Sequence, residues 1–472
     1  MTDHRLLRVF LTASGARAVN AGLLALRAKV VALFLGPEGI GLLGLYTAAQ
    51  EIGAQAADAG LSHSAVREVA RHRDDPARAA RVRRALWIAV ALLATLGAGV
   101  TWIWRGPIAH FLTGDAGQSA TVGILAIGIA FTVLFRWRQS IATAYGQVGP
   151  LSAALVTGTA IATLIGCGVV WWLGPPGIIV ATIAAPAAGL GCLLLIRLPP
   201  VPKSSGALAP DWSRLVRLGL PLMMIAQMSL IAPMAIRIGV THTDGLYQAG
   251  LFQAAWTISA HAMTILLTAV AMDFYPRIST LRQNSVAIRA CLVRQVHLHL
   301  GLGGPLLLLI AGAAPLTLTA LFSAEFAPAS GLLHGLMIGG LARLVSAPLE
   351  TIVVTAGHPG RVAGISLVSL GMLLIGSVVG YDQFGLNAIA LAFGVSNLGH
   401  LALVTLLAHR YARVTASWQT FAWLALLIGA ALLLIALPSL TWLVPLLIFL
   451  HPGARRRVRA LTLTPGRPTQ QS

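Results

Sequence analysis

Long apolar runs, each about the thickness of a bilayer, alternate along this chain with short polar connections. A helical crossing needs about 20 mostly apolar residues. Runs of that character fall at 8–34, 39–66, 85–104, 119–145, 150–173, 177–196, 215–240, 246–274, 295–322, 329–356, 362–381, 386–409, 419–437 and 439–451. They are continuously apolar and lack the two-residue alternation of a membrane β-barrel, so they are expected as α-helices. The last two are short, and Pro438 separates them. The pattern predicts an all-α polytopic membrane protein.

Composition agrees. Only 10% of the residues are charged and 57% are hydrophobic, with a mean hydropathy of +0.81, where soluble domains carry roughly 25% charged residues. A net charge of +19 would suggest nucleic acid in a soluble protein. Here the bases sort into alternate loops: Arg67, Arg71, Arg73, Arg78, Arg81, Arg83 and Arg84 after the second run, then Arg197, Lys203 and Arg214, then Arg277, Arg282, Arg289 and Arg294, then Arg361, then Arg410 and Arg413. The opposite loops are nearly bare, with Arg105 the exception, and the tail adds Arg455, Arg456, Arg457, Arg459 and Arg467. By the positive-inside rule both termini are expected in the cytoplasm, with no nucleic-acid partner. Residues 1–22 resemble a signal peptide only superficially, because Arg17 and Asn20 interrupt the apolar region and an apolar run continues to Phe34, and are expected to belong to an uncleaved first span. Cys167, Cys192 and Cys291 lie far apart, with neither metal spacing nor a disulfide framework.

The chain also repeats itself. GIGLLGLYTAAQEIGA from Gly39 resembles GLYQAGLFQAAWTISA from Gly245, and GQVG at 146–149 resembles GHPG at 357–360. Both matches follow the order of the spans, which predicts two parallel, pseudo-symmetric six-helix lobes and about two extra C-terminal helices. The expected boundaries are 1–200 for the first lobe, 201–214 for a cytoplasmic linker, 215–410 for the second lobe, and 411–472 for added helices and a basic tail.

Chemistry points to transport. Gly39, Gly41 and Gly44 fit G-x-G-x-x-G, but no strand precedes them, so close helix packing explains them better than a dinucleotide. No P-loop, metalloprotease or nucleophile-elbow motif occurs, and no enzyme, metal or cofactor is expected. The informative signal is charge at bilayer depth, which is costly and normally functional. Arg17, Asn20 and Arg27 share a sector of about 80° on the first helix, with Lys29 pointing away. Glu51 and Asp58 are separated by only about 20° on the second. Asp58 comes to roughly the depth of Arg17, an economical structural pair, whereas Arg27 and Glu51 suggest a hydrated site. Arg343 and Glu350 repeat the seven-residue spacing. Arg136, Arg138 and Arg237 are equally consistent with snorkelling, and His261, Asn397 and His400 with packing. An excess of bases favours an anionic cargo, and phosphate is the group arginine binds bidentately.

In KVVALFLGPEGIGLLGLY (29–46) and AGLSHSAVREVARHRDDPARAARV (59–82) the chain resembles the MOP exporter superfamily. Within it, the likeness is to flippases for lipid-linked oligosaccharides of the O-antigen and enterobacterial-common-antigen type. The resemblance implies two six-helix lobes alternating between inward- and outward-open states. It also implies an undecaprenyl-diphosphate-linked glycan moved from the cytoplasmic to the periplasmic leaflet of the inner membrane, and a base at Lys29. Expected partners are that lipid-linked glycan diphosphate, bilayer lipids and the polysaccharide polymerase or assembly machinery. Arg17, Asn20, Arg27, Lys29 and Arg343 are the expected substrate-binding residues, and Glu51, Asp58 and Glu350 the coupling or ion-pair residues. An ion-coupled multidrug or metabolite antiporter and a peptidoglycan-precursor flippase are the alternatives. A membrane glycosyltransferase or polymerase fits poorly with such short outer loops.

Overall fold

The computed structural model describes residues 3–71, 75–198, 212–281, 285–414 and 417–436. The expected span 439–451, most of the linker 201–214 and the tail arginines lie outside the described residues. Among the described residues every regular element is helical. Among the described residues ten segments are long and apolar enough to cross a bilayer, and two of them, Gly15–Asp58 and Gln227–Leu267, each contain a break. The chain is a multi-pass membrane protein.

The first break is in α1 (Asp3–Asp58), at Gly36, with φ 60° and ψ −158°. That region is essentially open only to glycine, and Pro37, which has no N–H to give the preceding turn, follows it. The second break, in α8 (Trp212–Thr280), is at Gly245, with φ 82° and ψ −178°. The gap between the expected runs 8–34 and 39–66 is therefore a single-residue fracture at Gly36 between two arms. The breaks lie 209 residues apart (245 − 36), not the 206 of the sequence alignment. That alignment matched side chains, whereas the repeated feature is the backbone conformation.

The second helix is shorter than its apolar run. Ala59 (φ 48°) and Gly60 (φ 77°) turn the chain, and α2 (Leu61–Arg71) follows as a separate amphipathic helix. Its apolar positions Leu61, Ala65 and Val69 recur every four residues on one face. They pack on Leu86 and Val90 of α3 (Pro76–Ile103) and on Val133 and Ile141 of α5 (Ser119–Ala144). Between α3 and α5 the connection forms a short helix, α4 (Arg105–Thr113).

The helical hairpins repeat to the residue. α5 and α12 (Ser330–Thr355) start and end 211 residues apart (330 − 119 and 355 − 144). So do α6 (Val148–Leu173) and α13 (Pro359–Phe384). The connecting turns match too: Gly146 and Gly357 have φ 68° and 90°, and Gly174 and Gly385 have φ 65° and 54°. Glycine pays least for this left-handed turn after a helix. Leu164 and Ile375, also 211 apart (375 − 164), are strongly exposed, as expected of a lipid-facing surface.

α7 (Gly177–Leu194) and α14 (Leu386–Ala412) complete these hairpins. The expected ninth run is divided into α9 (Ser285–Leu298), one π turn at His299–Gly303, α10 (Gly304–Gly312) and α11 (Ala314–Leu321). α15 (Trp418–Ala436) is a further apolar helix.

Two compact units result, one from Met1–Gln253 with Leu321–Glu325, the other from Ala254–Ala320 with Phe326–Ser472. Within the first unit the two glycine-rich repeat segments cross. A Cβ on Gly41 would lie 2.6 Å from the Leu246 carbonyl oxygen, and one on Gly250 only 1.8 Å from that of Pro37. The glycines of the G-x-G-x-x-G stretch thus serve backbone-to-backbone packing.

Candidate functional site

The charged side chains of the first unit divide by partner. On the first arm of α1, Arg17 is exposed and Asn20 is half-buried, with its Oδ1 left without a hydrogen-bond partner. Arg27, about two further turns along, is buried and donates to the Ala181 carbonyl of α7 at 3.4 Å. Its stem lies against Gly166 of α6, where a Cβ would sit 3.5 Å from Arg27 Cδ. The three residues that share a sector on the wheel therefore have three environments, because α6 and α7 cover only part of that face. Lys29 is half-buried.

The acids of the second arm are both engaged. Glu51 forms a half-exposed ion pair with Arg136 of α5. Beside it Gln50 donates to Thr132 Oγ1 at 3.0 Å, and Thr132 in turn donates to the Gly128 carbonyl at 2.8 Å. Asp58 is buried and accepts from the backbone N–H and the hydroxyl of Ser62, the latter at 2.6 Å. A carboxylate at the first turn of α2 satisfies donors that a helix start leaves open and suits the helix dipole. Arg138 donates to the carbonyls of Leu193 and Ile196 at 3.1 and 2.7 Å, closing the C-terminal end of α7.

Arg237 is where sequence reasoning fell short. It does not snorkel. It is 4% exposed, donates to the Gly44 carbonyl at 3.1 Å and to the side chain of Gln253, and keeps its Nε unpaired. Among the described residues the hydrogen-bond partners of Arg27 and Arg237 are all neutral. Among the described residues no carboxylate is paired with either guanidinium.

In the second unit the polar groups converge. Arg343 and Glu350 lie seven residues apart on α12, about 20° apart around the helix, and form an ion pair. His400 of α14 brings Nε2 to 2.7 Å from Glu350 Oε1 and 3.3 Å from Arg343 Nη1. Its Nδ1 lies 2.9 Å from Ser369 Oγ of α13. Side-chain exposure falls from 33% at Arg343 to 17% at Glu350 and 5% at His400. The cluster thus runs from an accessible cation inward to a sealed imidazole. Arg343 and Glu350 were legible as a pair; His400 and Ser369 were not, since they come from two other helices. Among the described residues no group of three or more His, Cys, Asp or Glu could hold a metal ion.

These features define a class, the all-helical multi-pass membrane proteins. Residues 30–331 match the model of the polysaccharide biosynthesis protein family Polysacc_synt_3, and the chain belongs to that family. The fold resembles that of a lipid II flippase, MurJ, in an inward closed conformation, with a TM-score of 0.70 at 13% identity over 97% of this chain and 100% of that one. It also resembles an inward-facing multidrug resistance MATE family transporter, with a TM-score of 0.64 at 17% identity over 87% and 94% of the two chains. A MOP superfamily transporter from Pyrococcus furiosus, described as having a binding pocket of reversed polarity, gives 0.62 at 17% identity over 90% and 95%. No curated protein sequence matches this chain.

Proposed function

We propose that this protein is a flippase that moves an undecaprenyl-diphosphate-linked oligosaccharide from the cytoplasmic to the periplasmic leaflet of the inner membrane by alternating access, for surface polysaccharide assembly. It is a transporter rather than an enzyme, and both termini lie in the cytoplasm. The observation that carries the reading is the surplus of buried positive charge. Arg27 and Arg237 have only neutral hydrogen-bond partners among the described residues, and Asp58 is spent on the start of α2. A cationic membrane interior attracts a diphosphate and repels a lipophilic cation. Membership of a polysaccharide biosynthesis family supports a glycan on that diphosphate.

In the first unit Arg17, Asn20 and Lys29 are the groups offered to the head group; in the second unit, taken by itself, the accessible edge of Arg343 is the contact offered to an anion. Arg27 acts from behind, as fixed positive charge in the seam with α7. Glu51, Asp58 and Glu350 balance or couple the cycle. An inside-negative potential favours outward movement of an anion by about 2.3 kcal/mol per charge per 100 mV, so the absence of a nucleotide-binding motif is consistent with the reading.

The test uses liposomes holding the purified protein and a fluorescent polyprenyl-diphosphate oligosaccharide, with a membrane-impermeant quencher outside. Flipping should exceed that of protein-free liposomes and fall at least tenfold in an Arg17→Ala/Lys29→Ala/Arg343→Ala variant. Full activity in that variant removes the site assignment. Uptake of lipophilic cations with no glycolipid flipping favours the multidrug antiporter, and preference for lipid II over other diphosphate glycolipids favours the peptidoglycan-precursor alternative.

A further inference from the structure

The cluster on α12–α14 has a proton count that can be read from its geometry. Ser369 Oγ lies 3.0 Å from the Ile365 carbonyl oxygen and 2.9 Å from His400 Nδ1. A hydroxyl has one proton. Directed at Ile365, it leaves Oγ as an acceptor, and His400 Nδ1 must be the donor. On the other side of the ring, Nε2 faces a carboxylate oxygen at 2.7 Å. Two lone pairs at that separation repel, so this contact needs a proton too. The contacts to Glu350 and Ser369 and the Ser369–Ile365 bond hold at once only when both ring nitrogens are protonated; Arg343 Nη1, itself a donor 3.3 Å from Nε2, is then a neighbouring charge and not a hydrogen-bond partner of the ring.

We propose that His400, held between Glu350 and Ser369, is a proton-binding site that gains and loses one proton during the transport cycle. Proton uptake adds H⁺ from water to the imidazole, and release returns it; no other bond forms or breaks. Charged, the cluster holds two cations, Arg343 and His400, against one anion, Glu350, and carries a net positive charge. Discharged, it is neutral. His400 then keeps its proton on Nε2, and Ser369 turns its hydroxyl from Ile365 to Nδ1. The surplus charge is felt at the exposed edge of Arg343, so an anion there binds more tightly while the proton is present, and by linkage its binding draws the proton in. This role rests on the reading of the protein as a transporter of an anionic lipid and assigns that site its coupling ligand.

The surroundings leave the assignment to these groups. Arg343 and Glu350 face His400 from α12, and Ser369 faces it from α13. His299 packs on α12 next door, at the Leu344 carbonyl, 2.8 Å away. His334 of α12 bonds its own helix at Ser330, and on α13 Arg361 stacks on Tyr411. On α14 itself Asn397 bonds the Phe393 carbonyl, and the next titratable side chain, His409, lies more than two turns away. α15, which also packs on α12, carries no charged residue.

The experiment is nitrogen-15 NMR of the full chain, labelled at histidine, in detergent micelles from about pH 5.5 to 8.5, the range in which histidine titrates. The His400 signals are assigned by their loss in His400→Gln. Wild type should show both ring nitrogens protonated in the acid part of the range and one of them deprotonated in the alkaline part. Ser369→Ala, which removes the partner of Nδ1, should change the Nδ1 signal, and Ser369→Thr should restore it. A His400 whose protonation never changes across the range, or an Nδ1 signal that ignores Ser369→Ala, overturns the proposal. Should His400→Gln not fold, the Ser369→Ala shift identifies the signal instead. No cargo enters this measurement, so its failure leaves the flippase reading standing. A titrating His400 beside absent glycolipid flipping removes only the cargo.

Discussion

The α5–α7 segment of the first unit and the α12–α14 segment of the second are the same scaffold 211 residues apart, filled with different chemistry. At that offset Ser369 and His400 correspond to Gly158 and Gly189, and Arg343 and Glu350 to Thr132 and Gln139. In the second unit Ser369 and His400 meet through a hydrogen bond of 2.9 Å. In the first, the same two positions meet backbone to backbone: a Cβ on Gly158 would lie 2.8 Å from Gly189 Cα. Where Arg343 pairs along its own helix with Glu350, Thr132 takes a neutral hydrogen bond from Gln50, and the charge moves one turn on, to Arg136 and its partner Glu51 on α1. Helix length and turn geometry are thus repeated because the bilayer and the backbone demand them. The polar contents are free to differ, and among the described residues only the second unit closes a cation, an acid and an imidazole into one cluster.

That contrast can be broken in a graded way by thermal unfolding in detergent. Glu350→Ala should cost most, about 3 kcal/mol, because it strands Arg343 and its imidazole neighbour without their anion. Gly158→Ala should cost about 2 kcal/mol by overpacking the α6–α7 crossing. By contrast Gly364→Ala on α13, whose Cβ would meet nothing within 4 Å, should be neutral or slightly stabilising. Thr132→Val should lose about 1 kcal/mol with the Gln50 hydrogen bond. Glu51→Gln should cost least, about 0.5 kcal/mol, since both members of that ion pair are partly exposed. A Glu350→Ala variant as stable as Glu51→Gln would show that the two units handle charge alike.

What could be read from the residues follows from the same division. The class, the helices and the repeated GQVG and GHPG turns are legible because apolar length and left-handed glycines are local properties. The end of the second span at Asp58 was missed because Leu61, Ala65 and Val69 continue the apolar pattern, and only the backbone turn at Ala59–Gly60 separates them. The pairing of Arg343 with Glu350 was accessible through seven-residue spacing on one helix. His400 stands 50 residues from Glu350, and only the packing of α12 on α14 brings it in. Arg27 and Arg237 were located by sequence but not understood, because their partners are carbonyls and an amide of helices whose approach depends on glycines elsewhere. Backbone acceptors leave no mark in a pattern of side chains.

The account stands on one claim, that the surplus bases select a diphosphate. Equilibrium binding of the detergent-solubilised protein to a polyprenyl-diphosphate oligosaccharide, set beside the same glycolipid joined through an uncharged linkage, tests it most directly. At least tenfold tighter binding of the diphosphate, about 1.4 kcal/mol, weakening as salt is added, is the result predicted. Equal affinity for the two lipids would contradict it.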